Sequence, residues 1–277
     1  MKGLNEYRLS TEEFALALAL VNRPELGKAT MFATFGELEE SVLEERLKAA
    51  SHSMLARGMA SVKPSGIAAI DNKLQSALAP LLLFEGMLQV TINTGEPKII
   101  NVHLRKKQFT AHWVEQGVVH CLVSGAINAL DSWIIGKLDP PKDLSGNLVP
   151  QLQEAHWRLP MEAFTNLPKM DEAEGQEFLT NQGISERVAR KLWLDAHRPE
   201  LRAVVTYVPF NSETDFSKPK NVLQSVPGFF FLKGQEAWLL VFPKEMGHQE
   251  ARLLPGVRSV MGPLLVELRQ RKDRAFS

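Results

Sequence analysis

The spacing of apolar residues changes several times along the chain, and each change marks an element. Leu9-Ser10-Thr11-Glu12-Glu13-Phe14 reads as a helix start. Ser10 fits the N-cap, Glu13 can reach back to it, and Leu9 and Phe14 occupy the hydrophobic-staple positions. Pro24 predicts that this helix stops near Asn22. A longer helix is predicted from about Glu37 to Arg57, with Leu43, Leu47, Ala50 and Met54 on one face and Gly58 as its left-handed terminator. Its other face carries Glu39, Glu40, Glu44 and Glu45, which reads as a solvated face or as a site for a basic partner. A third helix, from about Gly66 to Ala79, carries Ile67, Ile70, Leu74 and Leu78 and ends at Pro80.

The apolar period then drops from that of a helix to that of a strand. Leu88, Val90 and Ile92 alternate with Gln89, Thr91 and Asn93. Beyond a turn at Thr94-Gly95-Glu96-Pro97, Ile100, Val102 and Leu104 alternate with Asn101, His103 and Arg105. Beyond Lys106-Lys107, Phe109, Ala111 and Trp113 alternate with Thr110 and His112, and Val118 to Val123 form a fourth stretch. Alternating runs joined by short turns predict an antiparallel meander packed on helices. A helix from about Gly125 to Leu138 closes this part.

The same order follows again. Short helices are predicted from Pro160 to Leu167, from a cap at Asp171 to Asn181, and from a cap at Ser185 to His197. Strands follow at Leu201 to Val208, Gly228 to Leu232, Ala237 to Phe242 and about Ala251 to Leu254. A last helix holds Val257, Met261, Leu264, Leu265 and Leu268, with Gly262-Pro263 as a kink or as its true start. The expected organisation is a first half at 1–139, a linker at 140–154 rich in turn formers, and a second half at 155–277. Phe229 to Leu232 and Trp238 to Phe242 are apolar on both faces, as strands at the centre of a covered sheet are. The fold class expected is α+β: one pseudo-two-fold body, duplicated in order though not in sequence, with an antiparallel sheet shared by its halves. The halves differ at one place. The first hairpin of the first half turns in a few residues, whereas its counterpart carries a long polar loop from Phe210 to Ser225.

Bulk properties narrow the function. A chain of 277 residues with 44% hydrophobic content can bury a sizeable core. Its 32 basic and 32 acidic residues balance, which argues against whole-chain attraction to nucleic acid or anionic membrane. The single cysteine, Cys121, cannot close an internal disulfide and is expected as a buried thiol in a reducing cytosol. No apolar run approaches the roughly 18 residues of a membrane span. Met1 to Arg8 lack the basic-then-apolar build of a signal peptide, so a cytoplasmic protein is expected.

Motifs of catalysis are missing: no glycine-rich phosphate loop, no CxxC pair, no HExxH and no GxSxG. If Lys106-Lys107 is a two-residue turn, His103 and His112 lie diagonally on one face of adjacent strands. A metal would need a further ligand there, and no carboxylate has the right spacing. His120 and Cys121 are neighbours on a strand and point to opposite faces, so they cannot act as base and nucleophile. Helix-helix-helix-strand order is also that of a winged-helix DNA reader, with Arg187, Arg190 and Lys191 as its recognition face. The basic run Arg269 to Arg274 suits the last turn of a helix.

Ser53-Met54-Leu55-Ala56-Arg57-Gly58-Met59-Ala60, a helix followed by arginine-glycine and an extended segment, resembles a signature of the EspG family of type VII (ESX) secretion chaperones. Phe178-Leu179-Thr180-Asn181-Gln182-Gly183-Ile184 and its following helix are similar too. So are Val226-Pro227-Gly228-Phe229 and the hairpin Lys233-Gly234-Gln235-Glu236-Ala237-Trp238-Leu239-Leu240. The likeness spans nearly the whole chain as order and spacing. It implies a central antiparallel sheet flanked by two helical bundles. It further implies a non-enzymatic cytosolic chaperone or adaptor that binds the helical tip of a secretion substrate, with no cofactor, no metal and no membrane insertion. In that family a strand-to-strand loop of the first half helps to bind the substrate. Here the first-half loop, Asn93 to Pro97, is short and the long loop is in the second half. The contact candidates are therefore Phe210, Glu213, Asp215, Phe216, Lys218 and Lys220 on the long loop, and Thr91, Asn101, His103 and His112 on the polar sheet face. The alternative is nucleic-acid binding through the winged-helix face.

Overall fold

A computed structural model describes residues 3–64, 68–142, 157–209, 227–243 and 250–270. The class is α+β, with, among the described residues, ten strands in a large antiparallel sheet and two in a small one. Contacts divide the chain into two compact units, residues 1–85 with 101–129, and residues 86–100 with 130–277.

The first unit opens with a strand that the apolar pattern did not announce, β1 (Asn5–Ser10). It leads directly into α1 (Thr11–Leu20), whose start is as expected. Glu13 N–H donates to the Ser10 hydroxyl, and Ser10 N–H donates to the Glu13 carboxylate. Pro24 does end α1, but it also begins a further helix, α2 (Pro24–Phe35), because a proline at the first helical position gives up only a donor that would have no partner anyway. Next come α3 (Glu40–Ala56) and a small hairpin of β2 (Ala60–Val62) and β3 (Ala68–Ile70). Asp71 then caps α4 (Asn72–Leu82), accepting from the N–H groups of Lys73 and Leu74. The third helix thus begins later than its apolar residues imply. Ile70 belongs to β3, Ile67 lies outside the described residues, and the helix continues through Pro80.

The meander follows as expected: β4 (Gly86–Asn93), β5 (Pro97–Arg105), β6 (Gln108–Glu115) and β7 (Val119–Ala126). Arg105 pairs with Gln108, so Lys106-Lys107 is a two-residue turn, with Lys106 in the left-handed region at φ 50°. Within the first unit the strand order is β1-β7-β6-β5. One face packs on α1 and α4, joining Leu9, Phe14, Leu18, Leu74, Leu78 and Leu122. The buried Thr110 hydroxyl fastens β6 to α4 by donating to the Ala77 carbonyl at 2.7 Å.

The second unit takes β4 and the start of β5 together with α5 (Leu130–Leu138), β8 (Arg158–Pro160), α6 (Ala163–Asn166), α7 (Glu172–Asn181) and α8 (Glu186–His197). Strands β9 (Leu201–Pro209), β10 (Gly228–Lys233), β11 (Ala237–Val241) and β12 (Glu250–Pro255) precede the closing α9 (Arg258–Gln270), which runs through Pro263. Its strand order is β4-β9-β10-β11-β12-β8. Pro160 ends a strand instead of starting a helix. Asp171 and Glu174 form a capping box, as the spacing predicts. The helices α6 to α8 cover Leu232, Trp238, Leu240 and Leu253. The ion pair of Asp131 with Arg269 ties α5 to α9.

The repeated order is looser than expected, with, among the described residues, four helices and the β2–β3 hairpin before the first meander and three helices before the second, but it gains one common member. In each half a short strand precedes the helices and returns to pair antiparallel with the last strand of that half's meander: β1 with β7, and β8 with β12.

Candidate functional site

Of the ten residues singled out by sequence, Phe210, Glu213, Asp215, Phe216, Lys218 and Lys220 lie outside the described residues. Thr91 stands on β4 in the second unit, half-buried and opposite Val204 of β9. Asn101, His103 and His112 come together in the first unit. Asn101 pairs with His112 and His103 with Thr110, so the two histidines are diagonal neighbours as expected.

Their face is less open than alternation alone implies. Phe14, delivered by the staple position of α1, stacks on His112 at 5.2 Å and on His120 at 4.3 Å between ring centroids. The His112 Nε2 and the His120 Nδ1 are 3.0 Å apart and share one hydrogen bond. Phe84 closes on His103 edge-on at 5.0 Å. His120 joins this group because the β6–β7 register sets Val114 opposite His120 and Leu122 opposite His112, which makes the two rings diagonal. The sequence placed it only beside Cys121. That cysteine is buried and pairs with Trp113 on the other face.

Burial makes a charged imidazole costly here, and it holds all three below the ordinary 6.5: His103 at about 4 and His120 at about 4. His112 falls to about 3, for burial first and then for the proximity of His120 and His103. Neutral rings packed on phenylalanines act as stacking and hydrogen-bonding groups. Among the described residues no group of three histidine, cysteine, aspartate or glutamate side chains is placed to hold a metal ion.

Beside this cluster a buried carboxylate anchors the arginine-glycine segment. Glu13 accepts from Arg57 at 2.7 Å and from the Ser53 hydroxyl at 2.7 Å, while Arg57 also donates to the Arg8 carbonyl. Burial alone would raise the Glu13 carboxyl. The Ser53 hydroxyl, the Ser10 N–H and the Arg57 guanidinium outweigh it and hold the group below its usual range. The residues Ser53 to Arg57 thus fasten the end of α3 to the start of α1.

The second unit has its own buried node, which sequence reading missed. Asp195, only 3% exposed on α8, accepts from the N–H groups of Gln235 and Glu236 and from the Trp238 indole at 2.7 Å. Lys191, one turn earlier, pairs with Glu236 at 2.8 Å. Together they clamp the β10–β11 turn onto α8. An aspartate among the apolar residues of a helix face was the available signal. The same contacts bear on the winged-helix face. Lys191 is committed to Glu236 and Arg190 lies 3.4 Å from Glu172, so two of its three cations already face carboxylates.

No described helix is long and apolar enough to cross a membrane. No family model matches the sequence, and no curated protein matches it. Among solved structures, the chain is similar to one described as the Mycobacterium tuberculosis type VII secretion system chaperone EspG5 in complex with a PE25–PPE41 dimer. The similarity has a TM-score of 0.62 over 96% of both chains at 9% sequence identity. The sequence resemblance and the structural comparison converge, and the chain has the fold of the type VII secretion chaperone EspG5.

Proposed function

We propose that this protein is a non-enzymatic chaperone or adaptor of type VII secretion that binds the helical tip of a secretion substrate in the cytoplasm. The observation that carries the reading is the shared fold over 96% of both chains, with a protein whose structure holds a PE25–PPE41 dimer. The described residues add support of a different kind. The buried carboxylates of Glu13 and Asp195 are each held by structural partners, and the His112 Nε2 and His120 Nδ1 share one hydrogen bond. Binding would come from an apolar patch rimmed by polar groups. The contact surface we propose comprises the loop residues Phe210, Glu213, Asp215, Phe216, Lys218 and Lys220, with Thr91 on β4 of the same unit.

Co-purification tests the reading. Tagged full-length protein is co-expressed with small helical proteins encoded beside its gene. A stable complex of defined stoichiometry, resistant to moderate salt, supports it. Absence of any such complex, together with salt-sensitive binding of duplex DNA, would favour the winged-helix alternative instead.

A further inference from the structure

Helix α2 is apolar on more sides than the protein covers. Its inner side is pressed onto α1. Gly27 sits so close that a Cβ there would meet the Ala15 carbonyl oxygen at 2.6 Å. Only Gly27 and Met31 are buried. Leu26, Ala29, Phe32 and Ala33 face outward, with Phe32 64% exposed and Leu26 42% exposed. A helix that is apolar beyond its buried stripe ordinarily has something lying on the rest. Between α2 and α3 runs an open groove of about 340 Å³ lined by Met31, Phe32, Leu38 and Leu43, with Lys28, Glu37 and Glu40 at its rim.

Charge around the groove is one-sided. From Glu25 to Arg46 the chain carries six carboxylates (Glu25, Glu37, Glu39, Glu40, Glu44, Glu45) against two cations, Lys28 and Arg46. That is a net of −4, or −2 when the flanking Arg23 and Lys48 are included, in a chain whose total is +0. Arg46 is already engaged, pairing with Glu12 at 2.9 Å and lying over the Phe35 ring at 4.4 Å. An apolar floor with an acidic side along Glu37 and Glu40 is complementary to an apolar stripe that carries cations along that side, and it disfavours anionic lipid and nucleic acid. Two helices bordering an apolar groove are also the geometry that accepts a third amphipathic helix.

We propose that the α2–α3 groove is a docking site for a basic amphipathic helix of a partner protein. Its apolar stripe would cover Phe32 and Leu43, and its lysines or arginines would face Glu37, Glu40 and Glu44. The inference rests on the first unit alone and is independent of the chaperone reading, since none of the proposed client contacts lies in the groove.

The test uses the full-length protein and a labelled synthetic peptide of about five helical turns, with leucine and phenylalanine along one stripe and lysine on both flanks. A control peptide has the same composition with the stripe scrambled. Fluorescence anisotropy should show saturable binding, weakened about tenfold or more by Phe32→Glu, by Glu40→Lys/Glu44→Lys, and by scrambling the stripe. Phe32 and both glutamates are exposed, so circular dichroism melts should show the variants folded. Equal binding of the scrambled peptide would reduce the site to non-specific charge attraction and overturn the proposal. No binding would overturn it as well. So would sedimentation showing that the free protein is a dimer dispersed by Phe32→Glu, because a second copy would then be the occupant.

Discussion

Lowering the pH from 7 to 5 should weaken the first unit through His112 and His120. In the unfolded chain each imidazole takes up its proton near 6.5, whereas in the fold the two do so only near about 3 and about 4. The folded values are depressed, so between these limits the unfolded state binds more protons and stability falls as the pH falls. The contribution is complete above 6.5 and is lost on descent toward the folded values. For one such group at pH 5 the loss works out at about 2 kcal/mol, and for the coupled pair at no more than about 4 kcal/mol. The assay is urea unfolding at pH 7, 6 and 5, comparing the parent with His112→Phe/His120→Phe. That variant keeps two rings stacked on Phe14 and removes both titrating groups, while Glu13 and Arg57 are common to both proteins. The parent should lose at least about 2 kcal/mol more than the variant over the interval. If the two losses agree within about 1 kcal/mol, the reasoning about buried neutral imidazoles is wrong.

Other perturbations test other parts of the account. Asp195→Ala leaves the Trp238 indole N–H and the Gln235 and Glu236 N–H groups without their acceptor and should cost about 3 kcal/mol or more by chemical denaturation. Asp195→Asn keeps one acceptor oxygen and should cost less. Arg57→Ala strips the buried Glu13 carboxylate of its cation, with an expected loss of about 2 kcal/mol at neutral pH. Because the folded Glu13 carboxyl is depressed, this loss should shrink as the pH falls below about 4.5, which denaturation of parent and variant across acid pH will show. Gly27→Val pushes a side chain into the Ala15 carbonyl and should separate α1 from α2 at a cost of about 1–3 kcal/mol, read as a lower melting temperature.

The elements that were legible in the sequence are those with a long, regular period. The first three strands from Gly86 to Glu115 alternate, and the two-residue turn at Lys106-Lys107 set the β5–β6 register, which placed His103 and His112 correctly. The capping boxes at Ser10 and Asp171 were visible because short polar side chains at fixed spacing satisfy helix-end donors locally. What escaped had weaker or competing signals. β1 is short and runs straight into the capping box of α1, so Leu9 read as a staple although it also faces a strand partner. At Pro24 the proline was read as a stop, and its second use as a start was missed. For β8 the pairing is set by β12, almost a hundred residues away in sequence and beyond any local pattern. The candidate site divides along the same line. His120 entered the histidine cluster through the β6–β7 register, and Asp195 became a node through a turn forty residues distant, neither of which periodicity reports.

The account's central claim, a chaperone of type VII secretion acting on a helical substrate, is tested most directly by the behaviour of the substrate itself. Purified helical substrate, identified by co-purification, is diluted to conditions in which it scatters light alone, and the full-length protein is added in increasing ratio. Scattering that is suppressed as the ratio approaches one, with a complex of matching mass in solution, is the predicted result. Scattering that rises unchanged in the presence of excess protein would contradict the claim.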